Sequence, residues 1–198
     1  MADETQSGRP SPESRRQQIL DAACERVRES GFHGASMADI AKAAGLSVGQ
    51  IYRYFENKEA IIAAIVAQDL AEMRDKFAEI EARPGTLLDA IDEHLPESID
   101  KCFDLRRSSL ALEVVAEAAR NPKVAAIVRA ADAQEREMAK AMMERNRKPE
   151  WSEAEFQARC ETIGLIFDGL LTRGVNHPDL DRDALTAVLR STMRHLLT

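Results

Sequence analysis

The stretch from Ser36 to Lys58 constrains this chain more than any other: it sets two short apolar patterns on either side of one glycine. It reads Ser-Met-Ala-Asp-Ile-Ala-Lys-Ala-Ala-Gly-Leu-Ser-Val-Gly-Gln-Ile-Tyr-Arg-Tyr-Phe-Glu-Asn-Lys. Ser36 followed by Asp39 is a capping signal, so a short helix starts there. Gly45 stops it, and Ser47 caps a second helix that runs to about Phe55. Ile40, Ala41 and Ala44 share one face and can pack against Val48, Ile51 and Phe55, with alanines that let the two axes cross closely. Two short helices joined by a tight Gly45-Leu46 turn meet the physical requirement of a helix-turn-helix.

The rest of the chain reads as helix as well. Ser11-Pro12-Glu13 opens a first helix with Ile19, Ala23 and Val27 on one face, ending at Gly31. Asn57 caps a long fourth helix with the stripe Ile62, Val66, Leu70, Met73 and Phe77, broken at Pro84-Gly85. A fifth helix spans 87–103 with a disturbance expected at Pro96, and a sixth covers about 107–120. Asn121-Pro122 opens a seventh that ends before Pro149. Ser152 to Glu155 is a capping box for an eighth, with Phe156, Cys160, Ile163, Phe167 and Leu170 on its apolar face. Asp181 caps a ninth, with Leu185, Val188, Leu189, Thr192 and Leu196 turned inward. Strand signals are scarce, so the expected fold is all-α, with about nine helices. The expected organisation is a polar arm over residues 1–12, a helix-turn-helix domain over 13–60 and a helical domain over 61–198.

Composition narrows the function classes. The net charge of −7 does not favour nucleic acid, and residues 1–60 carry 8 basic against 9 acidic side chains. DNA binding must therefore rest on a few well-placed groups rather than on bulk charge. The cysteines Cys24, Cys102 and Cys160 stand far apart, without metal-site or disulfide spacing, and His94, His177 and His195 are scattered, so neither a metal nor a cofactor is expected. The apolar run Ile61–Ala67 is too short to span a bilayer, and the first twelve residues lack the apolar core of a leader, so a cytoplasmic protein is expected. P-loop, HExxH and dinucleotide fingerprints are missing, so no enzyme is expected.

The second helix of the pair begins with Ser47, Val48, Gly49 and Gln50, the positions that face the major groove when such a unit docks. Gly49 allows close backbone approach, Gln50 can pair with a base edge (adenine being the best geometric match), and Arg53 reaches a guanine or a phosphate. Tyr52, Tyr54, Lys58 and the hydroxyls of Ser36 and Ser47 offer phosphate donors around them. Arg15 and Arg16 are further phosphate candidates, with simple solvation the equal alternative.

These residues resemble the DNA-binding domain of the TetR family of bacterial one-component regulators. The resemblance rests on Ile40-Ala41, Ala44-Gly45-Leu46-Ser47, Gly49, Tyr52, Phe55 and Lys58-Glu59, with Gly31-Phe32-His33-Gly34 and Ser36 before them. Ser36 replaces the usual threonine and Tyr54 the usual histidine. The Glu113–Pro122 stretch is similar to a subset of these regulators. The resemblance implies a homodimer on an inverted-repeat DNA operator, released by a small-molecule effector, with repression as the default. It implies pairing of helices eight and nine with those of a second subunit, through Phe156, Cys160, Ile163, Gly164, Leu170, Leu185, Leu189 and Leu196. Gly164 and Gly169, each costing about 1 kcal/mol in a helix interior, fit a close helix approach there. Met73, Phe77, Phe103, Glu113, Met138, Met142 and Phe167 are the candidate effector pocket, and core packing explains the same residues. Glu113 and Glu117 are expected on a solvated surface. The alternative function is an interaction protein that kept the fold and lost operator binding.

Overall fold

A computed structural model of the chain describes residues 11–198, and the expected arm, apart from Ser11 and Pro12, lies outside them. Among the described residues there are nine helices and no strand: α1 (Pro12–Gly34), α2 (Met37–Ala43), α3 (Val48–Ile51), α4 (Lys58–Ala82), α5 (Leu87–Phe103), α6 (Leu105–Ala118), α7 (Pro122–Glu144), α8 (Glu153–Asn176) and α9 (Arg182–Leu197). They form two compact units, one ending at Ala64 and the other beginning at Ile65, so the division falls inside α4.

In the first unit Ser11 caps α1 through its hydroxyl, which accepts from the Ser14 amide at 3.1 Å. Gly31 stands at φ 70° and ψ 168°, a conformation open to glycine, and kinks the helix where the sequence signalled a stop. The chain then makes one more turn and buries Phe32. Ile19, Ala23, Ile40, Ala41, Ile51, Phe55, Ile61 and Ile62 close the core around it. Each large member contributes roughly 1.5–3 kcal/mol by leaving water.

In the second unit α5 packs on α8 and α9, and α6 on α7 and α8. One apolar cluster gathers Leu95, Ile99, Cys102, Phe103, Leu170 and Leu189; another gathers Met143, Trp151, Phe156 and Leu197. Pro96 does not end α5. It cannot donate to the carbonyl of Asp92 one turn earlier, and a guanidinium nitrogen of Arg190 in α9 supplies that hydrogen bond instead, at 3.2 Å. Arg194 adds an ion pair to the Asp92 carboxylate at 2.8 Å. Gly174 packs so tightly on the end of α5 that a Cβ there would lie 2.5 Å from the Cys102 carbonyl oxygen.

Glu117 departs from the sequence expectation. It is 0% exposed, and its carboxylate accepts from Arg120 Nε at 2.7 Å and from Asn121 Nδ2 at 3.0 Å. A carboxylate buried this deeply needs such partners, and here they knit the α6–α7 corner.

Candidate nucleic-acid interface

Two reciprocal capping boxes build the reading element. At α2, Ser36 Oγ accepts from the Asp39 amide at 3.1 Å while Asp39 Oδ2 accepts from the Ser36 amide at 3.1 Å. At α3, Ser47 Oγ accepts from the Gln50 amide at 3.2 Å while Gln50 Oε1 accepts from the Ser47 amide at 2.8 Å. Between them Gly45 sits at φ 63° and turns the chain, with Leu46 donating back to the Ala41 carbonyl at 2.8 Å. A side chain at that φ would be strained.

α1 braces this element at both ends. Gln18 Nε2 donates to the Ala44 carbonyl at 2.7 Å, and Arg15 holds the other end of that amide by donating to Gln18 Oε1 at 2.8 Å. Arg16 donates to the Tyr54 carbonyl at 3.2 Å and lies 4.3 Å from the centre of the Phe55 ring. Sequence reasoning weighed Arg15 and Arg16 only as phosphate ligands or solvated cations. Their bracing role depends on long-range contacts that no local pattern announces.

α3 stops at Ile51, short of the expected Phe55, and the outward face of the helix and the turn after it holds Gly49, Gln50, Tyr52 and Arg53, all exposed, while Ile51 and Phe55 turn into the core. Among the described residues, nothing beyond the helix's own backbone approaches within 4 Å of a Cβ built on Gly49, so this stretch of backbone is open. Tyr54 is half-buried. Val48, which the sequence places both in the packing pair and at the groove-facing start of the helix, is 46% exposed beside Gln50. A methyl-bearing side chain there matches the C5-methyl of thymine.

Two phosphate candidates are already engaged. The Ser36 hydroxyl donates to Asp39 Oδ2 at 2.5 Å, so its proton is taken. That carboxyl is held below its usual range by the Ser36 hydroxyl first and the Ser36 amide second, with Arg26 and Lys42 adding to the effect. Its negative charge then stands at the head of α2. Lys58 Nζ donates to the Phe32 carbonyl at 2.6 Å and lies 4.4 Å from the centre of the Phe32 ring. This cation, a phosphate candidate by sequence, ties α4 to the last turn of α1, after the Gly31 kink.

In the second unit, the side chains expected at a partner are used inside the subunit. Phe156, Leu170 and Leu189 are buried in the two clusters, and Cys160, Ile163 and Leu185 pack against them, with Leu196 half-buried. Gly164 and Gly169 instead face open space. The outward stripe of α8 is Ala158, Thr162, Leu165, Gly169 and Thr172, with Leu165 69% exposed, and α9 offers Val188 at 63%. The sequence offers two stripes of the same spacing along α8, and the more apolar one packs within the subunit.

Among the described residues no groove or apolar cluster gathers all of the candidate effector residues. Phe103 is buried with Phe167 packed against its cluster; Met73, Phe77, Met138 and Met142 are half-buried. Glu113 lies 3.7 Å from Arg120. A groove of about 520 Å³ beside α1 and α2, and another of about 340 Å³ between α7 and α8, include none of these seven. Among the described residues no group of three or more His, Cys, Asp or Glu is placed to hold a metal, and no helix is long and apolar enough to cross a membrane.

An exposed, capped helix held against a second short helix across a glycine turn defines a helix-turn-helix transcriptional regulator. The chain belongs to the TetR family: residues 19–65 match the bacterial regulatory proteins of the tetR family, and residues 85–198 match the C-terminal part of BetI-type transcriptional repressors. It is 38% identical over 118 residues to the HTH-type transcriptional regulator UidR of Escherichia coli, covering 58% of this chain and 57% of that one. It is 39% identical over 91 residues to the regulator BetI of Escherichia coli, covering 46% and 45%. The chain thus spans about half the length of the curated relatives it matches. Among solved structures, Salmonella enterica GusR aligns with a TM-score of 0.79 at 26% identity over 94% of this chain and 97% of that one. UidR and BetI are transcriptional regulators.

Proposed function

We propose that this chain is a homodimeric repressor that binds an inverted-repeat operator and is released by a small molecule. The observation that carries the reading is the face of α3. Val48, Gly49, Gln50, Tyr52 and Arg53 point outward from a helix fixed by a capping box and braced by Arg16 and Gln18. A reader must be rigid to discriminate, and this one is set before DNA arrives. In this reading Gln50, Arg53 and Val48 meet base edges, Gly49 permits close approach, and Ser47, Tyr52 and Tyr54 meet phosphate.

One short helix reads only a few base pairs, so a dimer with two such helices about 34–36 Å apart suits a regulator. The outward stripe of α8 with Val188 of α9 is the proposed contact. Its small residues, spaced 4 and 3 apart, let a partner helix come close. Cytoplasmic location follows from the DNA target. The effector is proposed to bind among Met73, Phe77, Met138 and Met142, whose flexible, half-buried side chains can reshape around an apolar ligand. It would act by favouring a conformation with the two reading helices wrongly spaced. Glu113, paired with Arg120, is a weaker member of that set.

Selection of the purified protein against a random duplex library tests the reading. Enrichment of an inverted repeat, bound as two protomers per duplex, supports it. A folded protein that enriches no sequence would favour a role in protein interaction instead.

A further inference from the structure

The α3 capping box fixes the chemistry with which Gln50 can read a base. The Ser47 amide is a donor and needs an acceptor, so the atom 2.8 Å from it is the carboxamide oxygen of Gln50, not its nitrogen. The same two residues are tied a second time by the Gln50 amide donating to Ser47 Oγ at 3.2 Å. The oxygen is thus folded back onto the head of its own helix. The Nε2 group, with two N–H donors, is left outward on an exposed side chain, with no partner among the described residues.

We infer that Gln50 reads DNA chiefly through its Nε2 donors and selects guanine. This rests on the DNA-reading role proposed above and deepens it. A glutamine pairs with adenine by giving one hydrogen bond to N7 and taking one from N6, and the second falls on an oxygen that already accepts from the Ser47 amide at 2.8 Å, which leaves it one lone pair and makes it the weaker acceptor. Adenine must share that oxygen with the cap or open the cap. Guanine presents two acceptors, N7 and O6, and asks for donors alone. Thymine presents one acceptor, O4, and ranks second. Cytosine presents a donor to a donor and is rejected. Position alone suggested adenine; the capping geometry replaces that with guanine.

The test compares the full chain with Gln50→Ala and Gln50→Glu in selections from a random duplex library, with melting curves of each protein. Glutamate keeps an oxygen for the Ser47 amide and has no donor. The expected result is guanine at one position of each half-site in the parent, preferred about tenfold over adenine. Gln50→Ala should flatten that position alone, and Gln50→Glu should melt near the parent and move the preference to cytosine, whose N4 donates. Adenine at the position that Gln50→Ala flattens would overturn the inference while leaving the regulator reading intact. So would a Gln50→Ala protein with unchanged preferences. A parent that enriches no inverted repeat would remove both.

Discussion

The ammonium of Lys58 sits 2.6 Å from the carbonyl oxygen of Phe32 and 4.4 Å from the centre of its ring, joining the first turn of α4 to the corner that closes α1. The head of a helix is an unfavourable place for a cation, and these two contacts offset that. A charge-assisted hydrogen bond contributes about 1.5–3 kcal/mol and a cation–π contact about 0.5–1 kcal/mol. Lys58→Ala is therefore expected to destabilise the chain by about 1–3 kcal/mol in urea, with Lys58→Gln recovering part of the loss. If the alanine variant kept its midpoint and lost only the salt dependence of DNA binding, Lys58 would be a phosphate ligand after all.

Pro96 and Arg190 act on the same carbonyl, that of Asp92, and should be energetically coupled. Arg190→Ala leaves that oxygen without its donor and is expected to cost about 1 kcal/mol. In a Pro96→Ala background the helix supplies its own N–H, so the same arginine change should cost clearly less. A double-mutant cycle by chemical denaturation measures the difference. Strict additivity would mean that the 3.2 Å contact carries no energy.

Much of this architecture was legible in short-range signals. The serine caps at 11, 36, 47 and 152 and the Asn121-Pro122 start all lie at helix heads. Each works through residues within three or four positions, so sequence carries the information. The failures share the opposite cause. Phe156 and Leu165 both sit on stripes of the right period along α8, and periodicity does not say which stripe meets its own subunit. Glu117 looked solvated because its partners Arg120 and Asn121 close on it only at the α6–α7 corner. Lys58 was placed correctly on α4, but its contact with Phe32 spans 26 residues. At the reading helix the residues were legible and the direction of the Gln50 amide was not, since that is set by a hydrogen bond rather than by residue type.

Acidic pH should weaken the fold through two exposed carboxylates. Glu97 is pulled down to about 2 by hydrogen bonds from Lys76 and Lys101, and Glu153 to about 2 by Arg147, Lys140 and Gln157. Both are depressed from 4.5, so their contribution is present above that value and is lost as the pH falls from about 4.5 toward 2. Glu135 has the reverse sign. Desolvation first, then the charges of Asp168 and Asp132, push its carboxyl up, though the residue stays exposed and solvent screening keeps the effect small. Its ionised form opposes folding at neutral pH, and the opposition fades on acidification. Glu135→Gln is thus expected to raise the melting temperature at pH 7, with the gain shrinking toward pH 4. An equal gain at both values would assign the effect to packing rather than charge.

Three glycines of α8 should separate folding from assembly. At Gly174 an added Cβ would meet the Cys102 carbonyl oxygen at 2.5 Å and Phe103 Cα at 3.0 Å, backbone atoms with little room to move. Gly174→Ala is expected to cost about 3 kcal/mol, since overpacking against backbone exceeds the helix-propensity gain. At Gly164 and Gly169 no atom of the described residues beyond the helix's own backbone lies within 4 Å of the new methyl. Each alanine there should stabilise the isolated subunit by up to about 1 kcal/mol. If the proposed dimer uses the outward stripe, Gly169→Ala must do the opposite to assembly, because the methyl would meet the partner helix. Sedimentation of the Gly169→Ala protein across a dilution series reads this directly. A weaker dimer made of more stable subunits supports the stripe; a dimer as tight as the parent's would move the interface elsewhere.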